Sequence, residues 1–248
     1  MHFKVAYLGE GFSGSASQPQ KKTVEGELRR VLVEEGFSEN ITMACRTDKD
    51  VSAFCNIFSS EDSVDYCSRI SSQLENIWVY SCSDRSKDIR NCMKHYVYFY
   101  DGEEEPTRET ASLFCGTHNF SFFSKPENRN PLRTLYITIE EGSHFLLLHF
   151  RSQGFLWGMV RRIVGAITMV SSGTLTHKDI RVMLKGERRK HITSAPPEYL
   201  LLADIETQIP FKNNAYVLSR MAKEFYSRFT YHRRKGALYE EMRALLAS

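Results

Sequence analysis

Residues 155–172, FLWGMVRRIVGAITMVSS, constrain the fold more than any other stretch. At helical spacing their apolar side chains point in nearly every direction, and Arg161 and Arg162 are the only charges. A helix that is apolar all round must be buried. The two arginines interrupt the run, and no stretch of the chain offers 18 consecutive apolar residues, so a membrane span is not expected. The helix therefore needs a protein layer around it, and the rest of the chain supplies strands for that layer.

Residues 3–8, 41–44, 53–58, 77–81 and 93–100 alternate or run as β-branched and aromatic strands. The stretch 93–100 is the clearest, with Tyr96, Tyr98 and Tyr100 alternating against Val97 and Phe99. Residues 132–140 and 144–150 flank a Glu141-Gly142 turn as a hairpin, and 199–204 and 215–218 read as further strands. Thr23 caps a helix whose apolar face is Val24, Leu28, Val31 and Leu32 and which Gly36 closes. Short helices are expected at 63–75, 108–116 and 178–185, a polar loop at 85–91, and a basic, partly amphipathic helix over the last 30 residues. The acidic run 101–109, which contains Pro106, marks a division into residues 1–104 and 105–248, each half holding strands and one main helix. This is an α+β pattern.

Arg161 raises the first functional question. A guanidinium on an apolar helix either snorkels to the surface or finds a carboxylate. Asp48 is the attractive partner, because it lies at a strand end, between the strand-like runs 41–44 and 53–58, inside the best core region; such a pair would hold the carboxylate ionised. Arg162 is assigned to the surface. Arg46 and Asp48 lie two apart, so an extended backbone sends both to one face. By spacing alone, the segment 44–53 reads more readily as a polar turn between two strands. The glycine-rich segment 9–15 lacks both a Gly-Lys-Ser/Thr step and the GxGxxG spacing, which argues against a nucleotide-phosphate loop. The eight histidines show no ligand spacing, and no G-x-S-x-G elbow is present.

The net charge of +3 is uninformative, but its distribution is not. Residues 151–191 carry nine Lys/Arg against two acids, and 208–248 carry eight against three. Basic segments gathered in the second half suggest a polyanion, though helices also carry charge simply to face water. The six cysteines form no CxxC or CxxH pair, so free thiols are expected, with neither zinc nor a disulfide framework. No secretory segment opens the sequence, which points to a cytoplasmic protein.

Taken together, several segments resemble the tRNA pseudouridine synthase A family from about residue 3 to residue 204. The family's G-R-T-D-x-G-V-[HS]-A signature reads here Cys45-Arg46-Thr47-Asp48-Lys49-Asp50-Val51-Ser52-Ala53. Its R-x-Y-x-Y strand is Lys94-His95-Tyr96-Val97-Tyr98, and its F-x-x-x-M-V-R-x-I-V-G helix is intact from Phe155 to Gly165. The Y-x-G-x-x-F-x-G loop matches at Tyr7 to Gly14, T-V-x-G at Thr23 to Gly26, and N-F-x-x-F at Asn119 to Phe123. Pro197-Glu198-Tyr199-Leu200 replaces A-E-G-L. The departures are Cys45 and Asp50 where the family has glycine, and Ser15-Ala16-Ser17-Gln18 in place of an aromatic-Gln step. Asp accepts a left-handed conformation better than most residues, so the turn at Asp50 can survive.

The resemblance implies two similar halves, each an antiparallel sheet with helices on one side, joined around a catalytic cleft. It implies an isomerase that converts uridine to pseudouridine in the anticodon arm of tRNA, at positions 38 to 40. Asp48 would be the catalytic carboxylate, as nucleophile or as base, with Arg161 as its partner. Arg46 would fill the gap left by the extracted base or hold its phosphate, Tyr96 would stack on the uracil, and Leu200 would wall the pocket. Lys185, Arg188, Arg189 and Lys190 are candidates for the RNA backbone. No cofactor or metal is required, the partner is tRNA, and the assembly is a homodimer. A protein of the same fold that binds or folds tRNA without catalysis is the alternative, and a hydrolase releasing free uracil is a third.

Overall fold

The computed structural model describes residues 1–85 and 89–247. In chain order its elements are β1 (His2–Tyr7), α1 (Val24–Glu34), β2 (Ile41–Met43), β3 (Ser52–Ser60), α2 (Cys67–Gln73), β4 (Ile77–Ser83), β5 (Met93–Tyr100) and α3 (Glu104–Ser112). There follow β6 (Gly116–Asn119), β7 (Leu132–Glu141), β8 (Leu146–Ser152), α4 (Met159–Ser171), α5 (His177–Leu184), β9 (Leu200–Glu206), β10 (Lys212–Asn213) and α6 (Ala215–Ala247). Ser121–Phe123 and Pro197–Tyr199 form single 3-10 turns. Part of the expected loop 85–91 lies outside the described residues.

The strands join in one sheet ordered β10-β4-β1-β3-β9-β5-β8-β7-β6, with β2 also on β3. Every described pairing is antiparallel except β3 with β9, where Ser52 and Ala53 face Leu201 and Leu202. That parallel seam joins early and late sequence and lies at the start of both strands. The fold is α+β with a large, mostly antiparallel sheet, as the strand patterns indicated. The alternation works as period two requires: Phe3, Val5 and Tyr7 enter one large core with α1, α2 and α4, while Ala6 points the other way. In β4 the register slips beside β1, between the Lys4–Ser81 and Val5–Val79 partners. The slip moves Cys82 onto the same core face as Ile77 and Val79, although Trp78 and Tyr80 face away.

Trp78 and Tyr80 are covered by α6, whose Val217 and Met221 pack on them and on Ala6. The sequence placed a strand at 215–218; these residues are instead the first turn of α6. The Asn214 side chain accepts from the Val217 N–H at 3.1 Å, capping a helix where four apolar residues alone suggest a strand. Two other expectations shift. The helix expected at 108–116 is α3, Glu104–Ser112: the acids favour a helix N-terminus, and Pro106 is tolerated in the first turn. Gly116, expected to end that helix, opens β6. Helix α4 starts at Met159 and not at 155, because Gly158 is left-handed at φ +71° and leaves Trp157 exposed over Lys125. All six cysteines are free thiols.

Candidate active site

The loop between β2 and β3 is held from below at Cys45 and Thr47. Thr47 is buried. Its hydroxyl meets the Tyr7 hydroxyl at 2.9 Å, and its N–H donates to Ser15 Oγ at 2.8 Å. Asn56 donates to both Tyr7 Oη and the Cys45 carbonyl. Burial pushes the Tyr7 phenol up to about 12, so it stays a neutral hydroxyl across the working pH range. With Thr47 turned inward, the side chains on either side of it emerge toward the cleft: Arg46 exposed, Asp48 half-buried. Asp50 takes the left-handed conformation, φ 63°, expected of an Asp in place of glycine.

The glycine-rich segment that fails as a phosphate loop has its use here. A Cβ on Gly14 would lie 2.8 Å from the Thr47 carbonyl oxygen, and one on Gly9 would lie 2.4 Å from the Asp50 backbone. Only glycine lets the 9–15 backbone lie against the loop carrying Asp48. Tyr7 and Ser15 entered the sequence reading only as motif positions without a role, and Asn56 not at all. Their link to Asp48 depends on the pairing of β1 with β3, which sets Tyr7 opposite Ala53.

Asp48 meets its cation across the cleft. Arg161 Nη1 lies 3.4 Å from Asp48 Oδ2, with the two side chains 20% and 19% exposed. The snorkelling alternative for Arg161 is thereby set aside. Arg161 is itself pinned, donating from Nε to the Ala195 carbonyl at 2.7 Å. The carboxylate also lies by the start of α4, since a Cβ on Gly158 would be 3.8 Å from Asp48 Oδ2. A helix N-terminus favours a negative charge there. Arg46 makes no ion pair with Asp48; the charge that faces Asp48 comes from α4, 113 residues away.

Tyr96 rises from β5 beside this pair. Its hydroxyl contacts Cys45 Sγ at 3.1 Å and its ring meets Phe155 edge-on at 5.1 Å. Burial first, and then the neighbouring Cys45 thiol and Tyr7, push its phenol well above the usual range. It therefore works as a neutral ring and hydroxyl. Phe155 was a motif residue without a role in the sequence, and here it braces Tyr96. Leu200 opens β9, is 5% exposed, and is paired with Tyr98, two residues along the ladder from the Tyr96–Leu202 pair. Asp48, Arg161, Tyr96 and Leu200 thus converge from a loop, a helix and two strands.

A charged dyad beside a neutral aromatic and an aliphatic wall suits a flat, uncharged base and its sugar. Comparison with known proteins agrees. The tRNA pseudouridine synthase A of Pyrococcus furiosus is 32% identical over 96% of this chain and 96% of its own. The chain belongs to the tRNA pseudouridine synthase A family. The Pyrococcus abyssi protein of the same name is 35% identical over 92% of each chain. A sequence profile described as tRNA pseudouridine synthase matches residues 110–207, from α3 to the end of β9.

The basic residues divide within this family frame. Lys190 forms a 2.7 Å pair with Asp179, and together with Thr176 it holds that carboxyl down at about 2. Lys185 sits 4.0 Å from Glu187. Arg188 and Arg189 are exposed, without a hydrogen bond or ion pair among the described residues. Arg162, left to the surface by the sequence, is half-buried. Its Nε is buried without a partner among the described residues, and burial, Arg189 and Arg161 lower its guanidinium pKa. Elsewhere the donor atoms of Asp65, Cys67 and Cys82 lie within 4.8 Å of one another. Burial pushes the Cys67 thiol up, which disfavours the thiolate that a metal would need.

Arg161 is tested by Arg161→Met, which keeps the methylene volume and removes the charge. Single-turnover pseudouridine formation is expected to fall roughly 100-fold, with the melting curve little changed, because a pre-aimed cation is lost where charge develops. A rate within a factor of three of wild type would leave Arg161 a packing residue.

Proposed function

We propose that this protein isomerises uridine to pseudouridine in the anticodon stem-loop of tRNA, at positions 38 to 40. The observation that carries the proposal is the Asp48–Arg161 pair at 3.4 Å, beside the buried ring of Tyr96. In the reaction the bond from ribose C1′ to uracil N1 breaks, the base turns, and a bond from C1′ to C5 forms. The C5 proton is lost and N1 gains one, so nothing is consumed. Asp48 acts at the ribose, as nucleophile on C1′ or as base on the sugar. Arg161 orients it in either role.

The target base must leave its stack to reach Asp48, which costs a few kcal/mol. Arg46, exposed at the mouth of the loop, is positioned to fill the vacated space or hold the phosphate. Tyr96 stacks on the extruded uracil, and its neutral hydroxyl can relay a proton. Leu200 walls the pocket. Arg188 and Arg189 are better placed than Lys185 and Lys190 to hold the backbone, because the lysines already face acids. The working assembly is a homodimer, and no step calls for a cofactor.

The test is to map pseudouridine in tRNA before and after incubation with the protein. New pseudouridine at positions 38 to 40 is expected, with no free uracil released. Pseudouridine elsewhere would move the site, free uracil would indicate a hydrolase, and tight tRNA binding without modification would indicate a tRNA-binding protein.

A further inference from the structure

The far half of α6 has no place in the site just described. The helix is fixed to the body through Val217 and Met221, and through the Phe225 ring set edge-on to Trp78 at 5.3 Å. Arg228 donates to the Asn76 side chain at 2.7 Å near the end of this contact. From residue 231 to residue 246 every position is exposed. This segment runs about 25 Å at the helical rise. It is not a uniformly polar arm: Tyr231, Leu238, Tyr239 and Met242 are 58%, 49%, 65% and 54% exposed, and Leu246 is 90% exposed.

Tyr231, Lys235, Leu238 and Met242 follow one another at steps of four, three and four, which places them along one stripe. Beside the stripe, on one flank, stand Arg234 and Glu241, seven residues apart. A stripe at this spacing with charges beside it is the seam of a two-helix contact. The charges also select the arrangement. A parallel pair would set Lys235 against Lys235. An antiparallel pair sets Tyr231 against Met242 of the second copy and Leu238 against its Lys235, whose stem can lie on the leucine while its ammonium reaches water. The same register brings Arg234 to within two residues, about 3 Å of helix, of Glu241 of the second copy, twice by symmetry.

We infer that residues 231–246 of α6 form an antiparallel helix-pair interface with the same segment of a second copy of this chain. This rests on the homodimer reading above and names its surface. A nucleic acid is the less fitting occupant, since the seam is apolar apart from Lys235 and its flank carries both signs.

The full chain is examined by sedimentation equilibrium over a range of concentrations, with wild type, Leu238→Glu, Arg234→Glu, Glu241→Arg and the double charge swap. All the sites are exposed, so the fold should persist, and circular dichroism checks that it does. A wild-type dimer is expected. Leu238→Glu should weaken it by at least about 100-fold and each single charge swap by about tenfold, with the double swap restoring it. A monomeric wild type would overturn this interface and the homodimer reading together. A dimer indifferent to Leu238→Glu would overturn the interface alone. Failure of the double swap to restore affinity would overturn the antiparallel register. Loss of tRNA affinity in Arg234→Glu at unchanged mass would reassign the segment to RNA.

Discussion

Asp48→Asn is expected to abolish pseudouridine formation, by about a thousandfold or more, while tRNA affinity stays within about twofold of wild type. Removing the group on which a covalent or general-base mechanism turns has effects of that order. Affinity should survive because it resides in phosphate contacts spread over many cationic groups. Asp48 contributes none of these; removing its charge leaves Arg161, Arg162 and Arg46 in place. Asparagine also preserves the shape of the side chain, which is only 19% exposed, and an amide oxygen can still accept from Arg161. The pair of measurements is therefore a single-turnover rate and a binding isotherm at fixed salt. Asp48→Ala should lose as much rate, and would show whether asparagine retains any residual orientation. If Asp48→Asn turned over within a factor of ten of wild type, the catalytic group would have to be another, and the proposed mechanism would fall.

The Asp48–Arg161 encounter could be anticipated because both residues violate local expectation in the sequence. A guanidinium on an apolar helix demands a partner, and a carboxylate at a strand end is available to meet it. The alternation of β5 placed Tyr96 in a strand, and only the family resemblance gave it a role in the site. What supports these residues was not legible. The contacts of Thr47 with Tyr7 and Ser15 join residues 40 and 32 apart, and only the register of β1 on β3 brings them together. That Arg162 comes close to Arg189 is likewise a tertiary fact, with no local pattern around either residue to announce it. The strand expected at 215–218 failed for a local reason: a side-chain cap at Asn214 outweighed the β-like composition of four residues. The parallel join of β3 to β9 leaves no local signature, since its partners lie about 150 residues apart.

Gly165→Ala is expected to be the most damaging substitution away from the reacting groups. In a helix interior, alanine for glycine should add about 1 kcal/mol. Here it cannot, because a Cβ at residue 165 would lie 1.8 Å from the Thr193 carbonyl oxygen and 3.0 Å from the carbonyl carbon. The obstacle is backbone, so α4 and the 193–195 segment must separate, a strain at the upper end of overpacking costs, about 3 kcal/mol. The net loss is about 2 kcal/mol, or about 4–8 °C in melting temperature for a chain of this size. The displacement also strikes the site. Gly165 lies one helical turn beyond Arg161 on the same face of α4. Arg161 grips the same segment, through Nε to the Ala195 carbonyl and through its own carbonyl to the Ala195 N–H at 2.9 Å. That segment runs through Pro196 and the Pro197–Tyr199 turn to Leu200, so moving it shifts both the cation facing Asp48 and the residue proposed to wall the pocket. A fall of at least about tenfold in single-turnover rate should therefore accompany the lower melting temperature. Gly236→Ala on α6, where an added Cβ meets nothing within 4 Å, is the matched control and should be neutral to stabilising. If Gly165→Ala melted with the control and kept its full rate, the grip of α4 on residues 193–195 could not be what sets the position of Arg161.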